Sequence, residues 1–194
     1  MVAIETDPRL VSRLKETFAG EENLTILHGD VMRIDLAQWG PAVFAGNLPY
    51  YITSPILRRV LPLGLSLLRA VFLVQKEVAD RLTARPGSRA YGFLSVQTAL
   101  HASPELLFSV PASAFRPPPK VDSALVRLTP HPVAEPDAER FLEFVALCFR
   151  QKRKTLRNNL LGHIDRRLLD GLAEASLRAE QLSLEQLRSL YHRL

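Results

Sequence analysis

The feature that most limits how this chain can fold is a regular alternation in its first 130 residues. Short apolar runs of strand length are separated by segments with helical periodicity. "VAIE" (Val2–Glu5), "LTILHGD" (24–30), "AVFAGNLPYY" (42–51) and 69–74 read as strands. The segments 8–18, 54–61, 76–83 and 93–100 read as helices. Leu10, Val11, Leu14 and Phe18 share one face of the first helix. Ser54 followed by Pro55 predicts a hydroxyl cap with proline at the first helical position. "PELLFSV" and "VDSALVRL" read as two late strands flanking the loop "PASAFRPPPK". This order predicts a mainly parallel sheet with an antiparallel edge.

"PHPVAEPD", 130–137, reads as a linker. Beyond it every periodic segment is helical: 138–149, 154–160, 166–175 and 184–194. Ser183 with Gln186 forms a capping-box start for the last. The expected organisation is an α/β domain over 1–130 and a small all-α domain over 131–194.

The net charge of +5 favours an anionic partner, nucleic acid or an acidic membrane face. Arginine outnumbers lysine, which fits either phosphate recognition or a GC-rich genome. Cys148 is the only cysteine, so an internal disulfide is excluded and a reducing compartment fits. Its neighbours Leu147 and Phe149 suggest a buried small hydrophobe rather than a reactive thiol. The opening residues do not read as a signal peptide. The most apolar region, 56–74, is interrupted by three arginines, Pro62 and Gly64, so no membrane span is expected. A cytoplasmic, monomeric protein without a metal is expected.

In open α/β sheets ligands bind at the carboxyl ends of the strands. Glu5, Asp30 and Asn47 fall at three such ends. Carboxylates there can accept hydrogen bonds from ribose hydroxyls or a base amino group, or can simply cap the helices that follow. The stretch Asn47-Leu48-Pro49-Tyr50 suggests more specific chemistry. A base amino group is a poor nucleophile because its lone pair is delocalised. An Asn oxygen and a neighbouring backbone carbonyl, fixed by a proline, can hold its two N–H bonds while an aromatic ring stacks on the base. Such positioning suits attack on an electrophile such as a sulfonium. The alternative is a strand-ending turn with an Asx hydrogen bond.

"NLPYYITSPIL", "QKEVADRL", "AYGFLSV", "FRPPPKVDSALVRL" and "FRQKRKTLRNNL" together resemble the ribosomal RNA adenine dimethyltransferase family, in family order and over nearly the whole chain. The likeness is greatest to the bacterial small-subunit enzymes. The resemblance implies a Rossmann-like methyltransferase sheet, S-adenosylmethionine as methyl donor, and two adjacent adenosines near the 3′ end of small-subunit (16S) rRNA as substrate, each dimethylated at N6. It implies a partner, the immature 30S subunit. On the matching positions Glu5 would bind the donor's ribose and Asp30 its adenine. Asn47 and the Leu48 carbonyl would hold the target N6, and Tyr50 would stack on the target base. Phe115 would cover the base's other face, unless it is a core aromatic. The run Arg150, Lys152, Arg153, Lys154 and Arg157, interleaved with Thr155, Asn158 and Asn159, reads as a grip on RNA phosphates. The other reading of such a run is a solvated charged face.

The family's glycine-rich donor loop has no counterpart, since no glycine precedes Gly20. The sequence is therefore expected to start at the second strand of the fold. The edges of the strands beside the absent one are expected to stay unpaired or to pair differently. A piece of a longer chain and a short form without catalysis both fit. Competing functions are a non-catalytic RNA-binding assembly factor and a large-subunit rRNA adenine methyltransferase; a DNA adenine methyltransferase fits less well.

Overall fold

The structure, a computed structural model, describes residues 1–131 and 137–194. Most of the expected linker lies outside the described residues.

Strand β1 (Val2–Glu5) pairs in parallel with β2 (Thr25–His28). Helix α1 (Pro8–Thr17) connects them. It starts where the local chemistry dictates: Asp7 accepts from the Arg9 N–H at 2.8 Å, and Pro8 occupies the first helical position. The expected apolar face of α1 is only partly used. Val11 is buried, but Leu10 and Phe18 stand exposed, because β1 and β2 alone are too narrow to cover it.

A second sheet has the order β3-β4-β6-β5, formed by β3 (Ala42–Asn47), β4 (Leu67–Gln75), β5 (Ala102–Val110) and β6 (Ser123–Pro130). β3 and β4 are parallel; β4–β6 and β6–β5 are antiparallel. The antiparallel share is larger than expected, and the last strand in sequence lies inside the sheet. Burial explains that order. β6 places Ala124, Val126 and Leu128 at 0% exposure, whereas β5 carries Pro104, Glu105 and Ser109, which suit an edge.

One face of this sheet aligns Ala70 with Leu128, Phe72 with Val126, and Val74 with Ala124. Helix α2 (Thr53–Val60), the turn at Leu61–Ser66, and α3 (Lys76–Leu82) add Ile56, Leu57, Val60, Leu61, Ala79 and Leu82 to the same cluster. Helix α2 begins before the expected Ser54 cap: Ile52 is its N-cap and Pro55 its third residue. Proline is tolerated there because the first four helical N–H groups have no intrahelical partner.

A second cluster joins α4 (Phe93–His101) to α5 (Ala138–Cys148), α6 (Leu156–Leu160), α7 (Arg166–Asp170) and α8 (Leu184–Arg193). Tyr91, Val96 and Leu100 thus belong to the helical core, although they precede residue 130. The expected helix over 166–175 is broken after Asp170 by Gly171 and resumes as a short turn, Ala173–Ser176. The capping box at Ser183 forms as expected, with Gln186 Oε1 accepting from the Ser183 N–H at 2.8 Å and Ser183 Oγ accepting from the Gln186 N–H at 3.3 Å. Cys148 is fully buried in this cluster, and burial pushes its thiol up to about 12. That agrees with a structural rather than a reactive cysteine.

Candidate functional site

The carboxyl ends of β1, β2 and β3 open onto one cleft of about 730 Å³, lined among others by Glu5, Gly29, Asp30, Asn47 and Pro49. Each carboxylate has one oxygen engaged locally. Glu5 Oε1 accepts from the N–H groups of Thr6 (2.7 Å) and Asp7 (2.8 Å). Asp30 Oδ1 accepts from the Met32 N–H at 2.8 Å. These bonds fix the carboxyl groups. They leave Glu5 Oε2 without a hydrogen bond among the described residues, and Asp30 Oδ2 with only exposed Arg33 nearby, at 3.8 Å. In Glu5 and Asp30, which both line the cleft, local capping therefore engages only one of the two carboxylate oxygens. A Cβ at Gly29 would lie 2.9 Å from Ile34 Cδ1, so the Ile34 side chain would have to shift to admit one.

The Asn47–Tyr50 turn is held from both sides. The Leu48 side chain is buried, and its N–H donates to the Leu73 carbonyl at 3.0 Å. The Pro49 carbonyl accepts from the Ile52 N–H (3.1 Å) and Thr53 Oγ1 (3.0 Å). The exposed Asn47 amide and the Leu48 carbonyl carry no hydrogen bond among the described residues. The braced turn thus carries two unengaged acceptors on adjacent residues.

Tyr50 OH lies 2.7 Å from Ser123 Oγ, joining two motifs 73 residues apart. Asp122 Oδ1 accepts from the Ala112 N–H at 2.9 Å, tying the loop that carries half-buried Phe115 to this end of the sheet. Phe115 belongs to neither hydrophobic cluster. Sequence reasoning did not single out Ser123 as a site residue. It also passed over Tyr51, which is 83% exposed and lines the cleft where Tyr50 is pinned beside it. The doubled tyrosine was the available signal, but which ring turns outward depends on the helix that follows.

The basic run divides into two groups. Lys152 donates to the carbonyls of Arg89 and Tyr91, and Arg157 pairs with Asp170 at 2.8 Å. Arg150 stands 3.3 Å from His163. Arg153 and Lys154 are exposed and have no side-chain partner among the described residues. Asn159 is not available to phosphate: it is buried, donates to Cys148 and Gln151 carbonyls at 2.7 and 3.1 Å, and accepts from the Gln151 N–H at 3.1 Å. Thr155 is the N-cap of α6. No group of side chains among the described residues could hold a metal ion, and no described helix is long and apolar enough to cross a membrane.

Parallel strands followed by an antiparallel pair, a cleft at the strands' carboxyl ends that holds Glu5, Asp30 and Asn47, and an appended helical unit define a Rossmann-like methyltransferase fold. The solved structures agree. A dimethyladenosine transferase from Plasmodium falciparum superposes with a TM-score of 0.80 at 25% identity, covering 97% of this chain and 79% of that one. The 23S rRNA methyltransferase ErmE gives 0.72 at 29% identity, covering 100% of this chain and 81% of its own. The chain belongs to the ribosomal RNA adenine dimethylase family, whose model matches residues 1–194. A ribosomal RNA small subunit methyltransferase A from Acidobacterium capsulatum is 44% identical, over 100% of this chain and 73% of its own length. One from Synechocystis is 43% identical, over 96% of this chain and 72% of its own length.

Proposed function

We propose that this protein acts as an rRNA adenine N6-dimethyltransferase on two adjacent adenosines near the 3′ end of small-subunit (16S) rRNA, presented by the immature 30S subunit in the cytoplasm, and that it works as a monomer. The observation that carries the reading is the pair of unengaged acceptors, Asn47 Oδ1 and the Leu48 carbonyl, on a proline-braced turn beside Glu5 and Asp30. The small-subunit choice rests on relatives such as those from Acidobacterium and Synechocystis.

The residues present fit the nucleoside end of S-adenosylmethionine. Glu5 Oε2 is a free acceptor for ribose hydroxyls, and Asp30 for the adenine amino group. When bound, the donor supplies an electrophilic methyl group on a sulfonium. Asn47 and Leu48 accept from the two N–H bonds of the unmethylated target N6, drawing the nitrogen toward a tetrahedral shape so that its lone pair is no longer delocalised into the ring; one N–H remains to be held for the second transfer. Formation of the N–CH3 bond would break the sulfonium S–CH3 bond and leave a neutral thioether, and one of those acceptors would orient the N–H whose proton then passes to water. Tyr50 stacks on one face of the flipped base, its ring angle set by Ser123, and Phe115 covers the other. Arg150, Lys152, Arg153, Lys154 and Arg157 on the 131–194 unit supply the phosphate grip, with Arg153 and Lys154 carrying most of it.

The test is calorimetric titration of S-adenosylmethionine into the folded 194-residue chain, followed by methyl transfer to undermethylated small subunits. Micromolar binding and transfer lost in Asn47→Ala support the reading. A folded chain that binds small-subunit RNA but not the donor would point instead to an RNA-binding assembly factor.

A further inference from the structure

A second cavity, of about 810 Å³, lies where three helices converge. Helix α2 contributes Arg58, α4 contributes Phe93 and Gln97, and α5 contributes Glu139, Leu142 and Glu143. Spacings of four residues put Phe93 with Gln97, and Glu139 with Glu143, on one face of each helix. The cavity shares no residue with the cleft at the strand ends. Helix α2 takes part in both: its Ile56 and Val60 line that cleft, its Arg58 this cavity.

Gln97 is only 5% exposed, and its buried Oε1 has no hydrogen-bond partner among the described residues. Such an acceptor is costly to leave unmatched, so the wall of the cavity calls for a donor. Glu139 and Glu143 stand exposed, with no ion pair or hydrogen bond among the described residues. One helical turn apart, they can share one cation. Arg58 is the only lysine or arginine on the described lining, and its guanidinium lies 5.8 Å from the centre of the Phe93 ring. In a chain of net charge +5, two carboxylates against one guanidinium make this rim locally acidic. Phe93, Leu142 and Phe149, half-buried against the helical core, make the rest of the wall apolar.

These features select the occupant. An RNA phosphate or another anion meets more negative charge than positive. A bare metal ion leaves the apolar wall uncovered, and no group of described side chains could hold one. An aromatic body packs against the phenylalanine rings, and a primary ammonium brings three N–H donors for Gln97 Oε1 and the two carboxylates. The geometry points to a binding site between α2, α4 and α5 for a small aryl-alkyl ammonium ligand, its ring on Phe93, Leu142 and Phe149 and its head set against Gln97, Glu139 and Glu143. The inference does not depend on the methyl-transfer reading.

It is tested by titrating 2-phenylethylammonium into the isotope-labelled 194-residue chain at low salt and following amide shifts by NMR. The matched probes are 2-phenylethanol, which lacks the charge, and 3-phenylpropanoate, which reverses it. The expected result is saturable one-to-one binding with a Kd on the order of 0.1–1 mM, read as shifts at Phe93, Gln97, Leu142 and Glu143 and absent at Glu5 and Asn47. The alcohol should bind about tenfold weaker or worse, and the anion weaker still. The Glu139→Gln/Glu143→Gln double variant, at two exposed positions, should also weaken the ammonium about tenfold. Arg58→Gln removes a like charge and should leave that affinity unchanged or raise it. No saturable shift, equal binding of the alcohol, tighter binding of the anion, or no effect of the double variant would overturn the inference. So would binding lost in Arg58→Gln, or shifts confined to Glu5 and Asn47, which would mark the probe as an occupant of the other cleft.

Discussion

The two walls of the cleft differ sharply in how they are held. The Asn47 wall grows out of a sheet whose Ala70, Val74, Val126 and Leu128 are at 0% exposure. The wall that carries Glu5 and Asp30 belongs to a two-stranded sheet; among residues 1–40 only Val11 and Leu36 are buried hydrophobics. A guanidinium ties the second wall to the first: Arg59 on α2 donates to the carbonyls of Met32 and Ile34, the latter at 2.6 Å. Groups that must meet a reacting atom need fixed geometry, whereas groups that hold a donor's sugar and base tolerate a more mobile support. The difference predicts that the Asn47 turn and the Glu5 and Asp30 carboxylates are energetically separable.

The largest expected effect comes from Asn47→Ala. Methyl transfer should fall about 100- to 1000-fold, on the scale of losing one transition-state hydrogen-bond partner, while the melting temperature stays put because the side chain is exposed. A parallel loss of stability would show that the turn is not independent of its chemistry. Next, Leu57→Ala, at 0% exposure, should cost about 2–5 kcal/mol in a denaturant titration. Leu10→Ala, on the exposed side of α1, should stay within about 0.5 kcal/mol. Equal costs would erase the contrast between the walls.

Arg59→Ala sharpens it. Removing two charge-assisted bonds should loosen residues 31–36, speeding amide exchange in β1 and β2 ahead of β4 and β6 and weakening donor binding. Uniformly faster exchange in both sheets would break the comparison. Smaller again, Tyr50→Phe should cost about 1 kcal/mol by stranding the buried Ser123 hydroxyl, and the Tyr50→Phe/Ser123→Ala double variant should recover part of that loss.

The smallest effect is confined to alkaline pH and to the helical core. Burial raises the Cys148 and Tyr91 acids to about 12 each, with Glu185 adding to the shift of Tyr91. Groups whose folded pKa lies above the unfolded one contribute stability that is complete below the unfolded value and is lost as pH rises through the folded one. Stability should therefore decline from about pH 9 toward 12, and a thiol reagent should modify Cys148 only in step with unfolding. Rapid labelling of the folded chain would contradict its burial.

Much of this protein was determined by sequence alone. Strand and helix order followed from periodicity, because periods of 2 and 3.6 are properties of neighbouring residues. The α8 capping box and the Asp7–Pro8 start of α1 lie close to the sequence surface for the same reason. The positions of Glu5, Asp30 and Asn47 at strand ends were legible, since a strand's end shows where its apolar run stops. Tertiary structure alone decided which strand lies inside the sheet. It also decided that Tyr50 rather than Tyr51 is pinned, through a hydroxyl 73 residues away. It turned Asn159 inward as a brace and left Arg153 and Lys154 outward, although all three sit in one run. Each of these outcomes depends on which distant surface a residue meets, and that is fixed by burial and hydrogen-bond satisfaction across the folded chain rather than by any local pattern.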